Sequence, residues 1–74
     1  MNIDYNNFMR LTVNGEEFDF SEGNRVRQLL EQLHLTGHPA AVERNGLVVP
    51  HSAFDHTELF EGDVLEVVTL VGGG

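Results

Sequence analysis

The sequence contains no cysteine and no lysine. The first absence excludes a disulfide scaffold, a thiolate zinc site and a cysteine nucleophile. It also fits a reducing compartment. The second leaves Arg10, Arg25, Arg27 and Arg44 as the permanent side-chain cations. Against these 4 bases stand 12 acids, for a net charge of −8. Phosphate backbones and anionic lipid repel such a chain, which points away from nucleic acid and membrane surfaces and toward a basic protein surface. No apolar run approaches the length of a bilayer span, and no basic segment precedes an apolar one at the start. The expected location is the cytoplasm. With 74 residues, there is room for one small domain with a thin core and little space to enclose a substrate. The chain is therefore not expected to be an enzyme in its own right. It is 41% hydrophobic and 22% charged, which is ordinary for a folded domain.

Residues 1–8 are polar and without period, and read as a flexible N-terminal extension. Met9 opens a regular pattern and is an alternative start. Met9, Leu11 and Val13 alternate with Arg10 and Thr12; Phe18 and Phe20 alternate with Glu17 and Asp19. Between these runs lies Asn14-Gly15, which suits the positive φ of a tight hairpin turn. Asn24 is the expected N-cap of a helix. Val26, Leu29, Leu30 and Leu33 then fall at i, i+3, i+4 and i+7, on one helical face. Gly37 and Pro39 are expected to end that helix after about ten residues.

Ala40 to Arg44 reads as a third strand with Val42 inward. Asn45-Gly46 repeats the turn chemistry, and Leu47 to Val49 is a fourth strand stopped by Pro50. Residues 51–60 are irregular, with Phe54, Leu59 and Phe60 as expected anchors. Glu61-Gly62-Asp63 is a turn. Val64 to Val71 is the longest β-prone run. An unpaired charge cannot sit in the core, so Glu66 faces out with Val68, while Leu65 and Val67 face in. Strand, strand, helix, strand, strand, strand is the order of an α+β fold of the β-grasp, ubiquitin-like type. It has a mixed sheet of four to five strands, the first hairpin beside the last strand, and one helix packed across. The domain is expected over residues 9–71, with 72–74 as a flexible tail.

That tail carries the chemistry. Gly72, Gly73 and Gly74 lack side chains, so the segment is thin enough for a channel too narrow for any Cβ. A terminal carboxylate is ionised at neutral pH and is a poor electrophile. It reacts only after conversion to an acyl-phosphate-type species, which a partner holding ATP and a metal can perform. The plain alternative is a frayed terminus without function.

The start MRLTVNGE at Met9–Glu16, the stretch VERN at Val42–Asn45, the turn EGD at Glu61–Asp63 and the end VVTLVGGG at Val67–Gly74 resemble the ThiS family. These are the bacterial sulfur carriers of thiamine biosynthesis. The resemblance runs from Met9 to Gly74. It implies that a ThiF-type, ubiquitin-activating-like enzyme adenylates Gly74, using ATP and magnesium that this chain does not itself bind. It further implies that a persulfide donor converts the adenylate to a thiocarboxylate, and that a ThiG-type thiazole synthase takes the sulfur. The carrier is then a recycled cosubstrate. An acyl adenylate is attacked by thiols and amines, and this chain's side chains offer neither.

Glu66, Val68, Leu70 and Val71, just before the tail, are candidate partner-binding residues: an acid and three apolar side chains expected to face out or to extend beyond the sheet. Ordinary strand packing and solubility are the alternative readings of the same residues. His34 and His38 have helical ligand spacing, but Gly37 falls between them, and His51 and His56 lie in an irregular stretch. No metal site is expected. Asp55 and His56 form a dyad on paper only, since no nucleophile completes it. Two related classes share the fold and the glycine end. One is the MoaD-type small subunit of molybdopterin synthase; Thr69-Leu70-Val71, without proline, argues against it. The other is a ubiquitin-like modifier joined to target lysines. A β-grasp interaction domain with no terminal chemistry is the remaining alternative.

Overall fold

Two Asn-Gly turns organise the sheet. Asn14 and Gly15 have φ of 52° and 85°, and Asn45 and Gly46 repeat this at 52° and 84°. Both central residues are left-handed, as the primed hairpin turn requires. In the computed structural model, which describes residues 8–70, these turns join β1 (Met9–Val13) to β2 (Glu16–Phe20) and β3 (Ala40–Arg44) to β4 (Leu47–Val49). The last strand, β5 (Val64–Thr69), enters between the hairpins. It runs parallel to β1 and antiparallel to β3, giving the order β2-β1-β5-β3-β4. This is the mixed five-stranded sheet expected from the sequence.

One face of the sheet is apolar and covered. Leu11, Val13, Phe20, Val42, Val49, Leu65 and Val67 point into the core. Val26, Leu29 and Leu30 of helix α1 (Val26–Gln32) meet them there. Phe54 and Leu59 close the core from the long connection after β4, which begins with a short 3₁₀ turn at His51–Ala53. The alternation expected for β5 holds: Leu65 and Val67 are buried, while Glu66 and Val68 are exposed. Phe60 departs from expectation. It is 53% exposed, because Leu59 takes the inward position and the Arg44 guanidinium lies over the Phe60 ring instead.

The helix is shorter than its apolar spacing suggests, and both ends explain why. Arg25, not Asn24, is the N-cap. Arg25 forms an isolated antiparallel bridge with Glu58, and the Asn24 carbonyl accepts from Leu59 N–H at 2.8 Å. The entering chain is thereby held extended one residue longer. The Gln28 side chain reaches back and accepts from the N–H groups of Asn24 and Arg25 at 2.9 and 3.0 Å, which satisfies donors the helix leaves free. At the other end, His34 adopts φ 61°. His34 N–H donates to Glu31 O at 3.0 Å, and Leu35 N–H donates to Leu30 O at 2.8 Å. This is the Schellman arrangement, with His34 where glycine usually stands. The helix therefore ends at Gln32, with Leu33 as its C-cap, before Gly37 and Pro39 come into play.

Candidate functional site

β5 is the element that leads to the glycine segment, and side chains from both Asn-Gly turns hold it. On the β1 flank, Asn14 N–H donates to Leu65 O at 2.9 Å. The Asn14 side chain then accepts from Val67 N–H at 2.8 Å and donates to Val67 O at 3.0 Å. A single amide side chain thus extends the ladder beyond the end of β1. On the β3 flank, Asn45 N–H donates to Val64 O at 2.7 Å, and Asn45 Oδ1 accepts from Val64 N–H at 2.9 Å. The last described rung is Leu70 N–H to Pro39 O at 2.9 Å. The chain up to Leu70 is therefore fixed in register on the centre of the sheet.

The start of β5 rests on Asp63, the one buried ionisable residue among those described. Its carboxylate accepts from Arg44 Nε at 2.7 Å, Asn45 Nδ2 at 3.0 Å and Phe60 N–H at 2.9 Å. Burial pushes the Asp63 carboxyl up, but the three donors together outweigh burial and hold it below its ordinary value. This is a structural lock on the turn that launches β5. The sequence pattern marked only a turn there, because an Asp in such a turn looks alike whether its carboxylate faces water or an arginine.

Among the described residues nothing covers the face of the sheet opposite the helix, and its two halves differ. Over β1 and β2 it is polar: Arg10 pairs with Asp19 at 3.0 Å and with Glu17 at 3.4 Å. Over β5, β3 and β4 it presents exposed Val64, Val68, Ala41 and Val48 around Glu43 and Glu66. Glu66 and Val68 thus stand on one exposed surface, and Leu70 is exposed immediately after β5. Glu43, which the sequence pattern did not single out, lies directly across from Glu66 in the β3–β5 register. Strand pairing was the missing signal, since 23 positions separate the two acids. The remaining candidates, Val71, Gly72, Gly73 and Gly74, lie outside the described residues.

The four histidines do not come together at one place, although His38 and His51 line a common groove. Among the described residues, no group of three or more His, Cys, Asp or Glu side chains is placed to hold a metal ion. Asp55, paired on paper with His56, accepts from Arg27 Nε at 2.8 Å. That hydrogen bond is the main reason its carboxyl lies below the ordinary value. A shallow groove of about 500 Å³ beside Leu70 is lined by Arg27, His38, Pro39, Ala40 and His51, and it is open to solvent. No helix of the described residues is long and apolar enough to cross a membrane.

A helix packed across a β2-β1-β5-β3-β4 sheet, with the last strand central and leading to glycines, defines a ubiquitin-like β-grasp domain. The ThiS family model matches residues 3–74. The chain belongs to the ThiS family. The crystal structure of the thiamine biosynthesis protein ThiS from Geobacter metallireducens superimposes with a TM-score of 0.71 at 39% identity, covering 89% of this chain and 100% of that one. A thiazole synthase from Paramagnetospirillum magneticum is 42% identical over 66 residues, which is 89% of this chain but 20% of that protein. This chain thus spans about one fifth of that relative's length. The protein ycf40 of Pyropia yezoensis is 39% identical over 64 residues, 86% of this chain and 90% of its own.

Proposed function

We propose that this chain is a sulfur carrier for thiazole formation in thiamine biosynthesis, acting in the cytoplasm as a recycled cosubstrate rather than as a catalyst. The Gly74 carboxylate is adenylated by a ThiF-type enzyme that supplies ATP and magnesium. The outer sulfur of a persulfide donor attacks the acyl adenylate and displaces AMP, a second thiol reduces the resulting acyl disulfide to the thiocarboxylate and is itself oxidised to a disulfide, and a ThiG-type thiazole synthase takes the sulfur. The observation that carries this reading is the family match through residue 74, glycines included. The architecture supports it. The strand that precedes the glycines is held on both flanks up to Leu70, and glycines would place no Cβ in a narrow partner channel. The partner assignment is supported by the relative named thiazole synthase, in which a segment similar to this chain makes up 20% of the length.

The test is an accurate mass after incubation with ATP, the adenylating enzyme and a sulfur donor. The expected gain is one sulfur in place of one oxygen, located on the C-terminal peptide so that oxidation of Met1 or Met9 is not mistaken for it. An unmodified Gly74 in the presence of partners competent on another carrier overturns the reading.

A further inference from the structure

The groove beside Leu70 runs against the charge of the rest of the chain. With 12 acids against 4 permanent cations, a stretch of surface is expected to carry carboxylates. Yet Arg27, His38 and His51 line this groove with Pro39, Ala40 and Leu70, and none of its lining residues is Asp or Glu. Three nitrogen bases on one surface favour an anion. Two of the three are set in place by the core. The Arg27 guanidinium lies over the Phe54 ring, 5.4 Å from its centroid, and the His51 ring packs on the same phenylalanine at 5.0 Å. Phe54 is buried, so the platform beneath both bases belongs to the folded body. Arg27 donates through Nε to Asp55 at 2.8 Å, and among the described residues its two terminal amino groups have no hydrogen-bond partner. Asp55 lines the neighbouring hollow with Arg25 and Glu31, not this groove. The open edge of the guanidinium is thus one that can take a carboxylate through two parallel bonds.

We infer that the occupant is the chain's own C-terminus: the Gly74 carboxylate, brought back along the groove to the Arg27 guanidinium and the His38 and His51 imidazoles. Leu70 both lines the groove and precedes the tail, so the tail starts where the groove starts. Val71, Gly72, Gly73 and Gly74 lie outside the described residues, and four residues reach at most about 13–14 Å when extended. That is enough to cross the groove, and the last three place no Cβ against its wall. Because it is tethered, the carboxylate meets the groove at an effective concentration of about millimolar. An exposed ion pair is weak, so the contact holds the tail for part of the time and yields to a partner. The groove is then a resting place from which the adenylating enzyme draws the tail, and to which the anionic thiocarboxylate returns between donor and acceptor. That role rests on the sulfur-carrier reading; the contact itself does not.

The test compares, by nuclear magnetic resonance and without partners, the full chain ending in the Gly74 carboxylate with the same chain ending in a carboxamide. The imidazole resonances of His38 and His51 are expected to move between the two chains, while those of His34 stay. In the carboxylate chain, a carbon-13 label on the Gly74 carboxyl is expected to shift on Arg27→Gln, and also on His51→Gln, which leaves the Arg27–Asp55 pair intact. Identical His38 and His51 resonances in the two chains overturn the inference and leave the carrier reading standing. Differences that grow with protein concentration assign the groove to the tail of a second copy, and resonances that move only with added inorganic phosphate assign it to a free anion; either overturns the inference. The role is read separately, with the adenylating enzyme. A tail at rest for half to two-thirds of the time raises the apparent KM by about twofold to threefold, so His51→Gln is expected to lower KM by that factor with kcat unchanged. A KM that does not fall overturns the resting role. A wild-type chain that is not adenylated overturns the carrier reading, which the resonances of the free chain do not touch.

Discussion

Asn14 acts as a strand residue for Val67. Its side-chain amide takes the Val67 N–H at 2.8 Å and gives to the Val67 carbonyl at 3.0 Å, repeating with one side chain the pair of bonds that a neighbouring strand would supply. The need arises because β1 turns away at Gly15, while β5 continues to Thr69. Without Asn14 the second half of β5 would be held on the β3 side alone. The residue that permits the left-handed turn is thus the residue that extends the central ladder.

Replacing Asn14 with Ala is expected to lower stability by about 1–3 kcal/mol, from two lost hydrogen bonds and an Ala forced to positive φ. Asn14→Gly removes the backbone strain but not the loss of bonds, so it should fall between Ala and the wild type. Amide exchange separates the causes. The Val67 N–H should exchange markedly faster in both variants, while the Leu29 N–H, inside the helix, should follow global stability only. Equal protection of Val67 in wild type and Asn14→Ala would show that the side-chain clamp carries no weight.

Acid should weaken the fold through Asp63. Its carboxyl titrates below the ordinary value when folded. Its contribution is therefore fully present above the unfolded value of about 3.9 and is lost as pH falls through the lower folded value. Denaturant midpoints measured from neutral pH downward should drop below about pH 4. Asp63→Asn should cost about 2 kcal/mol at neutral pH, since Arg44 keeps its charge and loses its partner. It should also flatten the acid limb. An acid limb of unchanged slope in that variant would place the protonation elsewhere.

Phe54 and Phe60, six positions apart, should respond very differently to truncation. Phe54 is 2% exposed and Phe60 53%. Phe54→Ala should cost about 3–5 kcal/mol, a large part of the roughly 4–11 kcal/mol expected of a domain this size. Phe60→Ala forfeits a packing contact with Arg44 and should cost less than about 1 kcal/mol. Thermal unfolding of the two variants gives the comparison directly.

Much of this contrast lies beyond the reach of the sequence. The strands and both hairpins were legible because alternation over Met9–Val13 or Leu65–Val68 reports one buried face, and Asn-Gly reports the turn between strands. In the irregular stretch there is no period, so Leu59 and Phe60 looked equally suited to the core. Only the tertiary path decides that Leu59 turns inward. The helix was legible by its apolar face but not by its ends. Arg25 is a poor cap by composition and holds the position through its bridge to Glu58. The candidate surface was half legible. Glu66 and Val68 followed from strand polarity, whereas Glu43 joined them only through the pairing of β3 with β5.

His34 offers a stabilising substitution. It occupies φ 61° at the helix end, where a side chain costs about 1 kcal/mol relative to glycine. His34→Gly relieves this but makes the unfolded chain more flexible, so the net gain should be no more than about 1 kcal/mol. A rise in unfolding temperature of a few degrees is expected. A fall would show that the His34 side chain makes contacts that outweigh its backbone strain.

Removing Gly73 and Gly74 separates fold from function. The buried core runs from Leu11 to Val67, and the ladder bonds of β5 reach no farther than Leu70 among the described residues. The truncated chain should therefore unfold within about 2 °C of the full chain, a shift worth well under 1 kcal/mol for a domain of this size. It should gain no sulfur on incubation with ATP, the adenylating enzyme and a donor, because the carboxylate proposed to be activated is that of Gly74. Adding back both glycines should restore the modification without moving the unfolding temperature. Melting of the truncated chain well below the full one would mean that the tail belongs to the folded body, and a tail so committed could not be handed from one partner to the next.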